Sequence, residues 1–386
     1  MMPISVQSNR CVICTVVVLC SYSVLTICLL DTTDIPKLIS MFLNVNLMNR
    51  THIGDIVHGY GTIMVDVRKL GQMDFDKMDV GNTTKTHQNK PQCFRLIWNE
   101  GKMSSGNYTD LKYPRKIQKG ENCKSYIALT TAPGRTGNQM FQLAALLGTA
   151  YHLDMMPLIN PSFPLTQYFN LPNLFDNKLK DSKSFSYHRS SKYNSRVLGL
   201  DRRRNLTMDG YFQSWRYFEG LESVIRRVFQ VKDVFLEQPK QFLSSLTFKG
   251  HTKVCIHVRR GDFTDQRASM NGYSMADIHF LQRAMEFHRE RWGKVRFIVL
   301  SDGIAWCKEK IIGPDIMFSP FYHVAEDFAL MTLCDHVVVT SGTFGWWGAW
   351  LSGGTTVYYK NYPRPGSWLE KQFSRDDYYP PNWIGL

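Results

Sequence analysis

Beyond residue 120 the chain alternates short apolar runs with stretches of helical period. Tyr126-Ile127-Ala128-Leu129 reads as a short strand. It is followed by Gly134 to Phe141 and then by the apolar run Gln142 to Ala150, giving strand, glycine loop, helix. Residues 157 to 215 are mixed, with Pro157, Pro161, Pro164 and Pro172 punctuating a loop and Gly210 to Trp215 rich in aromatics. Leu221 to Phe229 and Pro239 to Leu246 read as helices. A second unit opens near Thr252. Val254 to Val258 and Arg296 to Leu300 are strands, and Met275 to Arg291 is a helix between them. Helices around Trp306-Cys307-Lys308 and over Glu326 to Cys334 follow, with strands at Val337 to Thr340 and Thr355 to Tyr359. Strands alternating with helices predict an α/β fold with a parallel sheet.

The first 120 residues behave differently. Cys11 to Leu30 is an uncharged, mostly apolar run, long enough for one membrane-spanning helix and too long for an ordinary signal-peptide core. It divides a short tail, 1–10, from everything else, and a single-pass anchor with the large domain on the far side is the expectation. Residues 31–120 have poor periodicity and read as a stem and irregular region. Within it, Asp74-Phe75-Asp76 has no clear strand before it and reads as a solvated face rather than a metal-holding pair. The folded part then divides into 121–250 and 251–386.

The triplets at Asn82, Asn107 and Asn205 are glycosylation acceptors if the chain enters the secretory lumen, although roughly two would arise by chance. Five cysteines lie beyond the apolar segment. Cys93 and Cys123 sit in a polar, loop-rich region and are the expected disulfide, whereas Cys255 and Cys334 read as small core residues. The net charge of +13 suits an anionic ligand or surface. No zinc-finger spacing, RNA-binding aromatic motif or long basic run points to nucleic acid.

Three loops fall at predicted strand ends: Arg259-Arg260-Gly261-Asp262, Ser301-Asp302-Gly303 and Ser341-Gly342-Thr343. In a parallel sheet these ends gather on one edge, bringing cations, carboxylates, hydroxyls and free N–H groups together. Guanidinium groups grip phosphate oxygens in two-pronged fashion, so this set suits a nucleoside diphosphate. The glycine turn before Gln142 offers further N–H groups at a helix start, but it is neither a P-loop nor a dinucleotide fingerprint.

At this point the sequence resembles the α-1,2-fucosyltransferase family. The resemblance rests on Gly134-Arg135-Thr136-Gly137-Asn138-Gln139-Met140-Phe141, His257-Val258-Arg259-Arg260-Gly261-Asp262 and Ser341-Gly342-Thr343-Phe344-Gly345-Trp346-Trp347. It covers roughly residues 125 to 360. It implies a two-lobed GT-B-type fold with a Rossmann-like donor lobe at 251–386, and a Golgi type II membrane enzyme. It also implies metal-independent, inverting transfer of fucose from GDP-fucose to a galactose-containing glycan. Residue by residue, it implies that Arg259 holds the diphosphate and that Arg260 holds local geometry or phosphate. His257 would shape the donor pocket, and Asn138 would face the donor. Asp302 would contact the nucleoside, and Ser341 and Thr343 the phosphate or fucose. Asp262 is either a catalytic base or the ion-pair partner that orients an arginine. The alternative functions are fucosylation of another linkage or acceptor, and a membrane-anchored carbohydrate-binding protein that has lost catalysis.

Overall fold

The computed structural model describes residues 14–20, 23–29, 93–98, 114–120, 123–130, 133–160, 162–172, 179, 181–246 and 250–386. Asn82, Asn107, Asp74 and Asp76 lie outside the described residues.

In the first unit, β1 (Cys14–Cys20) pairs antiparallel with β2 (Ser23–Leu29), Cys14 opposite Leu29. One helix was expected over 11–30, and the described residues of that run are these two strands. Among the described residues no helix is long and apolar enough to cross a membrane.

The second unit starts with a correction to the expected irregular region. β3 (Phe94–Trp98) and β4 (Pro114–Lys119) form an antiparallel pair. A Cys93–Cys123 disulfide closes its base, beside a Gly120 N–H bond to the Cys93 carbonyl at 2.8 Å. Two parallel sheets follow. The first takes the order β6-β5-β8-β7, from β5 (Tyr126–Leu129), β6 (Met156–Leu158), β7 (Ser182–Tyr187) and β8 (Asn205–Gly210). The second takes the order β11-β10-β9-β12-β13-β14. Its strands are β9 (Thr252–Val258), β10 (Val295–Ser301), β11 (Ile316–Phe318), β12 (His336–Val339), β13 (Thr356–Tyr358) and β14 (Ile384–Gly385). Every pairing in this sheet is parallel. Its middle strands read as continuous apolar runs because helices cover both faces: Val254, Cys255, Ile256, Phe297, Ile298 and Val299 are fully buried. Cys255, Cys307 and Cys334 are buried free thiols, and burial pushes the Cys255 thiol up.

The helix Thr136–Leu153 joins the lobes. Most of its residues are buried, as expected of a helix that is apolar nearly all round. Its Phe141 ring lies 4.5 Å from Trp346 and 5.0 Å from Trp347 of the helix Thr343–Ser352. The indoles of Trp346 and Trp347 are thus core, and the helix begins at Thr343, the last residue of the loop expected over 341–343. The helix Asp233–Ser245 likewise starts before the expected Pro239, which lies within it.

The C-terminal segment crosses back to the first lobe. Asp377 accepts from Arg216 at 2.9 Å and from the Tyr193 N–H at 3.0 Å, and the Trp215 indole donates to the Asp376 carbonyl at 3.0 Å. β14 then adds itself to the edge of the second sheet.

His288, on the helix Ile278–Trp292, is fully buried, and its two ring nitrogens have no hydrogen-bond partner. Burial, helped by His336 and Arg291, pushes it down to about 4. Between pH 6.5 and 4 the unfolded chain therefore binds a proton that the folded chain refuses. The His288 contribution to stability falls as pH drops through that window, by about 3 kcal/mol in all. Asp327 acts in the opposite sense, because burial raises its carboxyl to about 6. Denaturant melts at pH 6.5 and pH 4.5 should show a smaller acid loss for His288→Phe than for the unsubstituted protein. Equal losses would rule out a buried neutral imidazole here.

Candidate active site

β9 lies at the centre of the second sheet. The chain leaves it towards β10 on one side, while β12 lies on the other. The loops after β9 and β12 diverge at this point, and such a crevice at the carboxyl edge is where an open α/β sheet binds its ligand. The Arg259 N–H donates to the Thr340 hydroxyl at 2.8 Å, tying the two loops together.

The Arg259 side chain is only 17% exposed. Its guanidinium donates to Asp302 with one nitrogen and to Asp262 with another. Burial draws Arg259 down from the usual arginine range, and the nearby Asp262 charge opposes that fall. Asp302 does more than pair. Its other oxygen accepts the Arg260 N–H at 2.8 Å and the Gly261 N–H at 3.0 Å. The residue expected to contact a nucleoside is thus occupied in shaping the arginine turn. Arg260 turns away, its guanidinium 3.9 Å over the Trp306 ring. That geometry favours the positioning role over phosphate contact.

Asp262 is shared between lobes: its second oxygen accepts from Arg135 at 2.6 Å. With both oxygens engaged by guanidinium groups, Asp262 has the geometry of an orienting carboxylate. Asn138 also links the lobes, because its side-chain oxygen accepts from Gln213 at 3.0 Å and from the Thr343 hydroxyl at 2.8 Å. Thr343 is therefore committed to Asn138. Ser341 is different: its hydroxyl is buried and has no partner among the described residues. It sits just before Gly342 (φ +85°), which starts the helix Thr343–Ser352 and leaves first-turn N–H groups without intrahelical partners.

His257 is buried beneath these loops beside Phe344, with Nδ1 unpartnered. Burial, then the Arg259 charge, pushes it down to about 3, so it is a neutral spacer rather than a cation. Phe263 lies 5.3 Å from the Arg259 guanidinium and stacks on Tyr362, whose hydroxyl burial pushes up. Three guanidinium groups against two carboxylates leave the cluster with a positive excess. It also has a free hydroxyl and a helix start, a set that receives an anion.

Of the expected residues, the structure brings His257, Arg259, Arg260, Asp262, Asp302, Ser341, Thr343 and Asn138 to one crevice. Asn205 lies elsewhere, at the start of β8, where its side-chain oxygen accepts the Tyr126 N–H at 3.1 Å. Arg135, Thr340, Gln213 and Tyr362 had no assigned role. Arg135 sits within a glycine motif that could have flagged it. The other three are brought in by long-range folding and carry no local signal.

The family model described as Glycosyl transferase family 11 matches residues 83–386. Galactoside alpha-(1,2)-fucosyltransferase 2 of Rattus norvegicus is 32% identical over 301 residues, covering 74% of this chain and 84% of that one. Its Sus scrofa namesake is 33% identical over 275 residues, covering 66% of this chain and 78% of that one. Among solved structures, NodZ alpha-1,6-fucosyltransferase crystallised with GDP is 13% identical, with a TM-score of 0.41 over 62% of this chain and 96% of that one.

Two substitutions separate site from scaffold. A Cβ at Gly261 would fall within the Asp302 carboxylate, the movable end of a side chain. Gly261→Ala should therefore fold normally yet lose GDP affinity by about tenfold or more, as read by calorimetry. A Cβ at Gly137 would lie 2.5 Å from the Thr343 carbonyl carbon, which is backbone. Gly137→Ala should cost about 1–3 kcal/mol of stability in a denaturant melt. A Gly261→Ala protein with full GDP affinity would mean that the Asp302 contacts do not shape this site. On the length and strength of the sequence match, the chain belongs to glycosyl transferase family 11.

Proposed function

We propose that this chain is a galactoside α-1,2-fucosyltransferase. It moves fucose from GDP-fucose to the 2-hydroxyl of a galactose at the end of a glycan, with inversion. The observation that carries the reading is Arg259: a guanidinium held by two carboxylates at the switch point of a parallel sheet, in a chain whose curated relatives bear that activity in their names. The two parallel sheets supply the lobes of a GT-B arrangement, with GDP at the edge of the second.

The chemistry follows from charge. The bond between fucose C1 and the β-phosphate oxygen breaks, the ring gathers positive charge, and the departing phosphate gathers negative charge. Arg259 and the first-turn N–H groups at Thr343 stabilise the latter. The unpartnered Ser341 hydroxyl at the foot of the crevice supports a donor role towards a phosphate or sugar oxygen. Asp262 and Asp302 fix the fork of Arg259 in advance, and Asn138 holds the first lobe's glycine turn against Thr343 of the second. The acceptor oxygen attacks the opposite face of C1 and its proton passes to water, while GDP leaves with the electron pair of the broken bond. Because Arg259 and the first-turn N–H groups meet the phosphate charge directly, no divalent cation is needed.

Arg259→Ala should lower transfer by about 3–4 kcal/mol of barrier, roughly a hundredfold to a thousandfold, with the loss in kcat as well as in donor binding. Arg259→Lys should fall close to it, since an ammonium lacks the planar fork. In the same assay, with labelled GDP-fucose and lactose, a chelator should leave the rate unchanged. Normal transfer by folded Arg259→Ala would remove the residue from the mechanism. Lactose binding without transfer would favour the carbohydrate-binding alternative.

The apolar run Cys11–Leu30, flanked by Arg10 and Asp31, supports attachment to the Golgi membrane as a single-pass type II protein with the catalytic domain in the lumen. In sealed microsomes, protease added outside should leave residues beyond 30 intact. Digestion of the large domain would reverse the topology.

A further inference from the structure

A cavity of about 440 Å³ opens where the C-terminal segment crosses the first lobe, and it shares no residue with the Arg259 crevice. Its volume is in the range of small-molecule sites. Four aromatic rings contribute to its wall: Trp215 from the first lobe, Tyr358 at the end of β13, and Tyr379 and Trp383 from the C-terminal segment. They are held in place. Tyr358 and Tyr379 stack at 3.8 Å, Trp383 lies 6.1 Å from Tyr379, and the Trp215 indole N–H is fixed on the Asp376 carbonyl. Fixed rings of this kind bury apolar ligand faces with little loss of side-chain freedom.

The charged groups narrow the ligand class. Arg216 and Arg375 balance Glu219 and Asp376, so the cavity selects neither an anion nor a cation. The guanidinium groups are already committed, Arg216 to Asp377 and Arg375 to the Lys360 and Pro363 carbonyls. The side-chain carboxylates of Glu219 and Asp376 accept no hydrogen bond among the described residues. What the cavity offers is therefore flat apolar faces and acceptors for O–H donors, without net charge. A pyranose ring answers that description, with its C–H faces for the rings and hydroxyls for the carboxylates.

We propose that this cavity is a second carbohydrate site, separate from the transfer crevice, that binds a neutral glycan. It leans on the assigned function only in the choice of probe. A lactose carrying a photoreactive diazirine, irradiated with the full-length protein in detergent, should label the peptides holding Trp215–Glu219 and Asp376–Trp383. Free lactose should compete with that labelling. Trp215→Ala should reduce it roughly tenfold, and Glu219→Ala, at an exposed side chain, should weaken it without disturbing the fold. Neither should alter transfer of fucose to saturating free lactose. Labelling confined to other peptides, or unchanged in both variants, would overturn the proposal. Labelling here in a chain that transfers no fucose would uphold it and instead remove the transferase reading.

Discussion

A largely buried guanidinium must find counter-charge, and Arg259 meets that demand with two carboxylates from two different loops. Much of the crevice follows from this pairing. Asp302 must reach from the end of β10, so the turn after β9 has to run close beneath it, and a Cβ at Gly261 would push the Asp302 carboxylate out of place. Asp262 must face the first lobe to meet Arg135, which fixes how the two strand-end loops look across the cleft. An ion pair of this kind is weak as a source of net stability once desolvation is counted. Its value lies in presenting a charged fork in one orientation before any ligand arrives.

The scaffold beneath the site is aromatic. Phe141, Phe218, Trp346, Trp347, Trp350 and Trp383 meet where the helices 136–153 and 343–352 pack. The Trp346 indole donates to the Tyr378 carbonyl at 2.8 Å, so even its polar edge is satisfied within the core. This rigid seam, together with Asn138 bridging to Thr343, lets two sheets from different halves of the chain present their loops at fixed separation.

How much of this could be read from the chain varies with burial. The strands of the second sheet announce themselves because parallel strands covered on both faces are unbroken apolar runs, as in Val254–Val258. β7, Ser-Lys-Ser-Phe-Ser-Tyr, and β8, Asn-Leu-Thr-Met-Asp-Gly, hold only two apolar residues each, in alternation, a weaker signal than the unbroken runs of the second sheet. Pro239 looked like a helix start because proline favours the first turn, yet the helix holds it in its interior. At the site, Arg259 was legible from its place between an apolar run and a glycine. The commitments of Asp302 and Thr343 were not, because each partner lies about forty or more residues away in sequence.

The crossing-back of the C-terminal segment bears on the order in which the protein is made. Phe141 and its helix emerge from the ribosome long before Trp346, Trp347 and Tyr378, the rings that cover them. Until Trp346, Trp347 and Tyr378 are synthesised, the face of the helix around Phe141 lacks the rings that cover it. Domains usually fold in turn as they appear. Here the first lobe completes its packing only once the second has been made, and the uncovered Phe141 face is the surface a chaperone would meet meanwhile.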